Sequence, residues 1–137
     1  MIERDTFIKD LRGQTIGSIS TDSSAEEIFQ NRVLRPILKL QNELFIASFS
    51  NYITKYKGDF YNLTIDKRLG VIENALQKDV KYRNTLKGMV IGLFTMEEYS
   101  LYSNNSSNLS KRMMTMLLER LKSQVQLFDQ PRDIEKK

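Results

Sequence analysis

The sequence predicts an all-α fold, a small bundle of five to six helices around a long central helix that is kinked at Pro36. Helix-breaking residues are rare, since the 137 residues include only two prolines and six glycines. Apolar residues recur at three- and four-residue spacings, which is typical of helices and not of strands. We expect a single helical domain over residues 1–130, followed by a flexible, charged C-terminal tail at residues 131–137.

The first helix is predicted over residues 3–11 and should end at Gly13. The following stretch, up to residue 24, is rich in glycine, serine and threonine. Such a composition indicates a loop, in which residues 15–19 could form a short extended piece.

The second helix is the predicted centre of the bundle. Ser24 and Glu27 have the spacing of a capping box, so the helix should begin there and run to about Lys57. Pro36 lacks the N–H that would bond to the carbonyl of Arg32, which predicts a kink, or a break that restarts with Pro36 in the first turn. Apolar residues cover most of the circumference, as in a helix with neighbours on several sides.

The remaining helices follow from caps and apolar spacing. One is predicted from residue 65, with Thr64 as its cap and apolar residues at helical spacing as far as Leu76. The others are predicted over residues 79–94, after the Thr95–Glu98 capping box to residue 102, and over residues 109–128, with a polar loop at residues 103–108. The first two of these could instead form one bent helix. The predicted core residues are Leu40, Leu44, Phe45, Ile72, Leu76, Leu86, Met89, Val90, Leu93, Leu117 and Leu121.

Composition excludes several kinds of chemistry. The chain contains no histidine and no cysteine. It therefore lacks the commonest general base, the thiol nucleophile and the ligands of most zinc and iron–sulfur sites. It also lacks a phosphate-binding loop and a nucleophile elbow. We expect no metal site, no cofactor and no enzymatic activity.

Location and charge give weaker indications. The N-terminus has no hydrophobic signal segment, and no apolar run reaches membrane-spanning length. With no disulfide to form, these features predict a cytoplasmic protein without a membrane partner. The net charge is +4, and the excess of positive charge in residues 55–87 is interrupted by acidic residues. That pattern favours a solvated face over a nucleic-acid-binding surface.

Two glycines stand four residues apart inside a predicted helix. Thr85, Gly88 and Gly92 share a narrow face of that helix. Each glycine costs about 1 kcal/mol relative to alanine, so the pair needs a structural reason. We predict that another helix backbone of the same chain packs closely there. A self-association face and a small-ligand groove are the alternatives.

A second group of residues could hold an anionic small molecule. Arg83 and Lys87 lie one turn apart and could bind a carboxylate or phosphate together, with Tyr82 beside them. The alternative is a pair of surface cations. Gln41 and Asn42 lie beside the apolar stripes of the central helix, where they could orient the ligand or bond to the backbone of a loop such as residues 13–24.

Several motifs resemble a group of short bacterial proteins that often carry the label "glyoxalase". The label implies a lyase or isomerase of βαβββ modules, in which histidine and glutamate hold a divalent metal. This chain has no histidine, and none of the implied ligand residues can be matched to it. The resemblance otherwise implies only a helical protein. It covers most of residues 11–128 and is carried by Phe29–Asn31, Leu34–Asn42, Lys78–Asn84, Leu86–Phe94 and Lys111–Met114.

These observations leave two classes of function open. The first is a non-enzymatic helical interaction or structural protein that associates with itself into a homo-oligomer, as the broad apolar circumference of the central helix indicates. The second is a binding protein for an anionic small molecule, or a glyoxalase-like lyase.

Overall fold

The computed structural model describes residues 3–13 and 23–128, and these residues form seven α-helices and no strand. The predicted all-α class is therefore confirmed. The predicted extended piece at residues 15–19 and the predicted tail at residues 131–137 lie outside the described residues. The helices are α1 (Glu3–Arg12), α2 (residues 25–40), α3 (Asn42–Tyr56), α4 (Ile65–Gln77), α5 (Val80–Ile91), α6 (Met96–Asn104) and α7 (Ser106–Ser123).

Most helix ends carry the local signals that the sequence shows. Gly13 ends α1 with a φ of +75°, a left-handed conformation that favours glycine. The Ser24 hydroxyl accepts a hydrogen bond from the N–H of Glu27 at 3.1 Å and caps α2. Thr95 and Glu98 form a complete capping box at the start of α6. Local sequence therefore determines where these helices start and stop.

Pro36 lies directly after an interruption of α2. The helix passes through a π turn at Gln30–Leu34, where the N–H of Arg35 bonds to the carbonyl of Gln30, five residues back. Regular α-helix resumes with Pro36 in its first turn. Pro36 cannot bond to the carbonyl of Arg32, which instead accepts a hydrogen bond from Arg12 at 3.2 Å. The predicted irregularity at Pro36 is confirmed, as a π turn within a continuous helix.

The helix count exceeds the predicted five to six because the expected central helix is divided at Gln41. Its dihedral angles, φ −89° and ψ 3°, separate α2 from α3. The hydrogen bonds nevertheless continue across it, since the N–H of Gln41 bonds to the carbonyl of Ile37 at 2.9 Å. The predicted polar loop at residues 103–108 is also wrong, because only Asn105 separates α6 from α7.

An aromatic cluster occupies the centre of the core. The fully buried Phe49 of α3 has ring centroids 5.0 Å from Phe128 and 6.2 Å from Phe60. Tyr52 and Tyr82 stack on each other with centroids 4.2 Å apart. Edge-on and offset contacts of this kind add to the free energy gained by burying the rings.

The predicted core is correct except on one face of the central helix. Leu40 and Leu44 are 38% and 47% exposed, although both were expected to be buried. The core side of α3 instead follows Phe45, Phe49 and Tyr52, and no neighbouring helix covers the adjacent stripe. Met89 and Leu93 are partly buried. The other predicted core residues are buried, namely Phe45, Ile72, Leu76, Leu86, Val90, Leu117 and Leu121.

Replacing Phe49 by alanine should lower the free energy of unfolding by about 3–5 kcal/mol, because it leaves a cavity among aromatic rings. The control is Tyr56→Ala on the same helix, whose side chain is 65% exposed and should cost about 1 kcal/mol or less. Urea unfolding of both variants would measure the difference. Equal losses would show that Phe49 is not central to the packing.

Candidate functional site

The predicted anion-binding residues of α5 point to different partners. The hydroxyl of Tyr82 is buried and lies 3.1 Å from the hydroxyl of Ser48. Arg83 donates a hydrogen bond to the carbonyl of Gln77 at 3.0 Å. Neither Arg83 nor Lys87 is among the residues that line the cavity at the end of α1 or a second cavity beside Arg120.

The two amides of the central helix hold other helices and not a ligand. Gln41 donates to the carbonyl of Met89 in α5 at 3.1 Å. Asn42 and Gln124 exchange two hydrogen bonds, of 2.8 and 2.9 Å. The expectation of bonds within the chain is met by a residue of α5 and by the residue after α7, while residues 14–22 of the expected loop lie outside the described residues.

The predicted close packing against the glycines within the chain is wrong. Thr85, Gly88 and Gly92 are exposed. A Cβ at Gly88 would meet no atom within 4 Å, and one at Gly92 would meet only the carbonyl oxygen of Gly88, at 3.2 Å. Within the part of the chain that the structure describes, the three residues form a strip that is open to solvent and could receive a partner.

Large apolar side chains lie uncovered on neighbouring helices. Phe7 and Leu11 of α1 are 70% and 58% exposed. Helix α1 contacts the Arg35–Leu40 segment, which ends at the exposed Leu40 and is followed by the exposed Leu44. Exposed patches of this kind are typical of interaction surfaces.

The glycine strip adjoins α1 at one end, because the carbonyl of Gly92 accepts a hydrogen bond from Arg4 at 2.8 Å. Tyr82 and Met89 face α3, since they bond to Ser48 and Gln41. Thr85 and Gly92 each follow those residues by three positions, so they lie about 60° from them around the helix, and both are exposed. We call the combined surface the outer face. It consists of Phe7, Leu11, Leu40, Leu44, Thr85, Gly88 and Gly92.

Polar contacts hold α1 in place. None of its ten residues, all of which the structure describes, is buried as a whole. The guanidinium of Arg4 donates to the carbonyls of Gly92 and Phe94 at 2.8 and 2.7 Å. The side chain of Arg12, only 6% exposed, contacts both carboxylate oxygens of Glu98, at 2.5 and 3.0 Å. These long-range contacts take the place of an apolar interface.

Arg12 also reaches two backbone carbonyls, those of Leu93 and Arg32, each at 3.2 Å. It therefore joins α1 to α2 and to the start of α6. Sequence analysis missed this residue. The available signal was its eight-residue separation from Arg4, which places both arginines on one side of α1.

A cavity of about 710 Å³ lies beside Arg12, between the end of α1 and the starts of α2, α6 and α7. Its apolar wall contains Ile28, Phe29, Leu101 and Leu109. Charged side chains lie around that wall, namely Lys9, Arg12, Glu26, Arg32, Glu97 and Glu98. Its volume and mixed lining are those of a small-molecule site.

The structure gives no lead to metal chemistry. Over residues 3–13 and 23–128, no group of three acidic, histidine or cysteine side chains is arranged to hold a metal ion.

In the same residues, no helix combines the length and the apolar character needed to cross a bilayer.

Comparison with known proteins adds no assignment. No protein-family model matches the chain, no curated protein is similar to it, and no solved structure matches its fold. The resemblance to the glyoxalase-labelled group therefore stays a prediction.

Replacing Arg12 by methionine should lower the free energy of unfolding by about 3 kcal/mol, because it leaves the largely buried Glu98 carboxylate without its cation. Amide hydrogen exchange in α1 should accelerate as well. The matched control is Lys122→Met, which breaks an ion pair whose side chains are 34% and 42% exposed. That change should cost about 1 kcal/mol or less. Similar small losses in both variants would show that Arg12 does not anchor α1.

Stability should fall in alkali as two buried tyrosines ionise. Burial, with a hydrogen bond to Asp79, raises the pKa of Tyr52 to about 12, and burial raises the pKa of Tyr82 to about 12. In the unfolded chain both ionise near pH 10. Their contribution to stability is therefore complete below about pH 10 and is lost as the pH rises towards 12. Tyrosinate absorbance should show a late phase that Tyr52→Phe and Tyr82→Phe each reduce, and an unchanged late phase would contradict the assignment.

Proposed function

We propose that the chain is a cytoplasmic, non-enzymatic helical interaction protein that associates with itself through the outer face. One observation carries this proposal: α1, which exposes the large side chains of Phe7 and Leu11, is bonded to the carbonyl of Gly92, at the end of a helical strip that is open at Gly88. Leu40 and Leu44 add two further exposed apolar side chains. The absence of histidine and cysteine supports the non-enzymatic part.

The mixed character of the outer face favours a second copy of the chain as its partner. In a two-fold dimer the same surface is used on both subunits, so it must supply both the protruding groups and the sites that receive them. Leu40 and Leu44 are the protruding groups, and the strip of Thr85, Gly88 and Gly92 is the receiving site. Each subunit of such a dimer could place its leucines over the other's glycines.

The orientation of α1 supports the same conclusion. Arg12 packs into the bundle, while Phe7 and Leu11 keep most of their surface exposed. Removing apolar surface from water contributes about 25 cal/mol per Å². A second copy that covered this helix would therefore stabilise both subunits.

Sedimentation velocity or light scattering would test the proposal directly. We expect a dimer or larger closed oligomer at protein concentrations of tens of micromolar, roughly ten times a dissociation constant in the micromolar range. A clean monomer under these conditions would refute self-association.

Replacing Gly88 by alanine should have opposite effects on the subunit and on its association. In the dilute monomer the new methyl group meets open space, so helix propensity should raise the free energy of unfolding by up to about 1 kcal/mol. In the oligomer the methyl group would obstruct the partner's leucines, so the dissociation constant should increase. Thermal unfolding at low concentration and sedimentation at several concentrations would measure the two effects.

Gly70→Ala is the matched control. Gly70 lies inside α4, away from the outer face, and an added Cβ there also meets no atom within 4 Å. This variant should be more stable without weaker association. Leu44→Glu, at an exposed position, should dissociate the oligomer while leaving the monomer folded. If Gly88→Ala and Gly70→Ala leave association equally strong, the glycine strip does not take part in the interface.

A further inference from the structure

The cavity beside Arg12 is separate from the outer face and has the properties of a ligand site. Its volume of about 710 Å³ lies within the range of roughly 300–1,000 Å³ that is typical of small-molecule sites. Leu101 lines it and keeps 53% of its surface exposed, next to the buried Phe29 and Leu109. An apolar ligand would remove this surface from water, which is favourable in proportion to its area.

Two of the three carboxylates around the cavity already have partners. Glu98 accepts hydrogen bonds from Arg12 and from the backbone N–H of Thr95, the latter at 2.8 Å. Glu26 accepts one from the Asn105 side chain at 3.0 Å and lies 3.5 Å from the guanidinium of Arg112. Their negative charge is balanced inside the protein and is not available to attract a cationic ligand.

Two of the cations that line the cavity, in contrast, have no carboxylate partner among the described residues. Lys9 and Arg32 line the cavity, are exposed, and form no ion pair with any residue that the structure describes. Glu97 is the carboxylate that remains beside them. Two free cations and one free carboxylate leave an excess of one positive charge at the mouth of a largely apolar cavity.

We propose that this cavity binds a small amphipathic monoanion, an apolar molecule that carries one carboxylate. The apolar body lies against Ile28, Phe29 and Leu101, and the carboxylate lies between Lys9 and Arg32. A straight-chain fatty acid and an aromatic carboxylic acid share this chemistry. The cavity is preorganised, because Arg12 fixes α1 to Arg32 and to Glu98 on two of its sides.

Titration of the full chain with sodium decanoate, followed by the methyl NMR signals of Ile28 and Leu101, tests the site. Saturable shifts of these signals are expected. Decanol, which has the same chain without the charge, should bind about fivefold more weakly, the effect expected for one exposed charge contact. Decyltrimethylammonium should bind more weakly still. Naphthoate, compared with decanoate, distinguishes an aromatic ligand from a straight-chain one.

Single substitutions test which cations contact the carboxylate of decanoate. Arg32→Gln and Lys9→Gln should each weaken decanoate binding by about fivefold and leave decanol binding unchanged, since only the charge contact is lost. Lys55→Gln removes an exposed cation that does not line the cavity, and it should change neither. Leu44→Glu on the outer face should also leave the binding intact.

Three results would overturn the proposal. They are the absence of any saturable shift at Ile28 and Leu101, equal affinity for decanoate and decyltrimethylammonium, and loss of binding in Leu44→Glu but not in Arg32→Gln. The last would place the ligand on the outer face. Because oligomerisation is measured separately, failure of this site and failure of the proposed self-association can be distinguished.

Discussion

The ion pair between Arg12 and Glu98 is the interaction on which the position of α1, and with it both proposed sites, depends. It joins residues 86 positions apart, and Arg12 adds hydrogen bonds to two backbone carbonyls. Removing two charges from water is costly, and bidentate geometry with further hydrogen bonds offsets that cost. Since α1 has no buried residue, these contacts and those of Arg4 decide where the helix lies.

The position of α1 in turn shapes both proposed sites. On one side the helix exposes Phe7 and Leu11 as part of the outer face, and at its end Lys9 and Arg12 border the cavity. If α1 packed on the bundle through Phe7 and Leu11, it would cover the same helices but would leave neither the outer face nor the cavity available. The polar attachment of α1 therefore keeps apolar surface available for binding.

Local features could be predicted from the sequence, and distant ones could not. Ser24 and Thr95 accept hydrogen bonds from residues three positions away, and Pro36 acts by lacking a backbone N–H, so a sequence displays all three effects directly. Leu40 and Leu44 were placed in the core because a helical wheel shows which residues are apolar, but not how many sides of the helix have neighbours. The Arg12–Glu98 pair and the empty space beside Gly88 depend on tertiary packing, so no local pattern indicated them.

The amide pair of Asn42 and Gln124 has a consequence for the alignment of the helices. The two side chains satisfy each other only when the start of α3 and the residue after α7 lie opposite one another. Sliding α7 by one turn, about 5.4 Å, would separate them and break both bonds of the partly buried Asn42 amide to Gln124. Apolar residues at helical spacing tolerate such a slide far better. The pair therefore selects one alignment of α7 against α3 among several that the apolar core alone would accept.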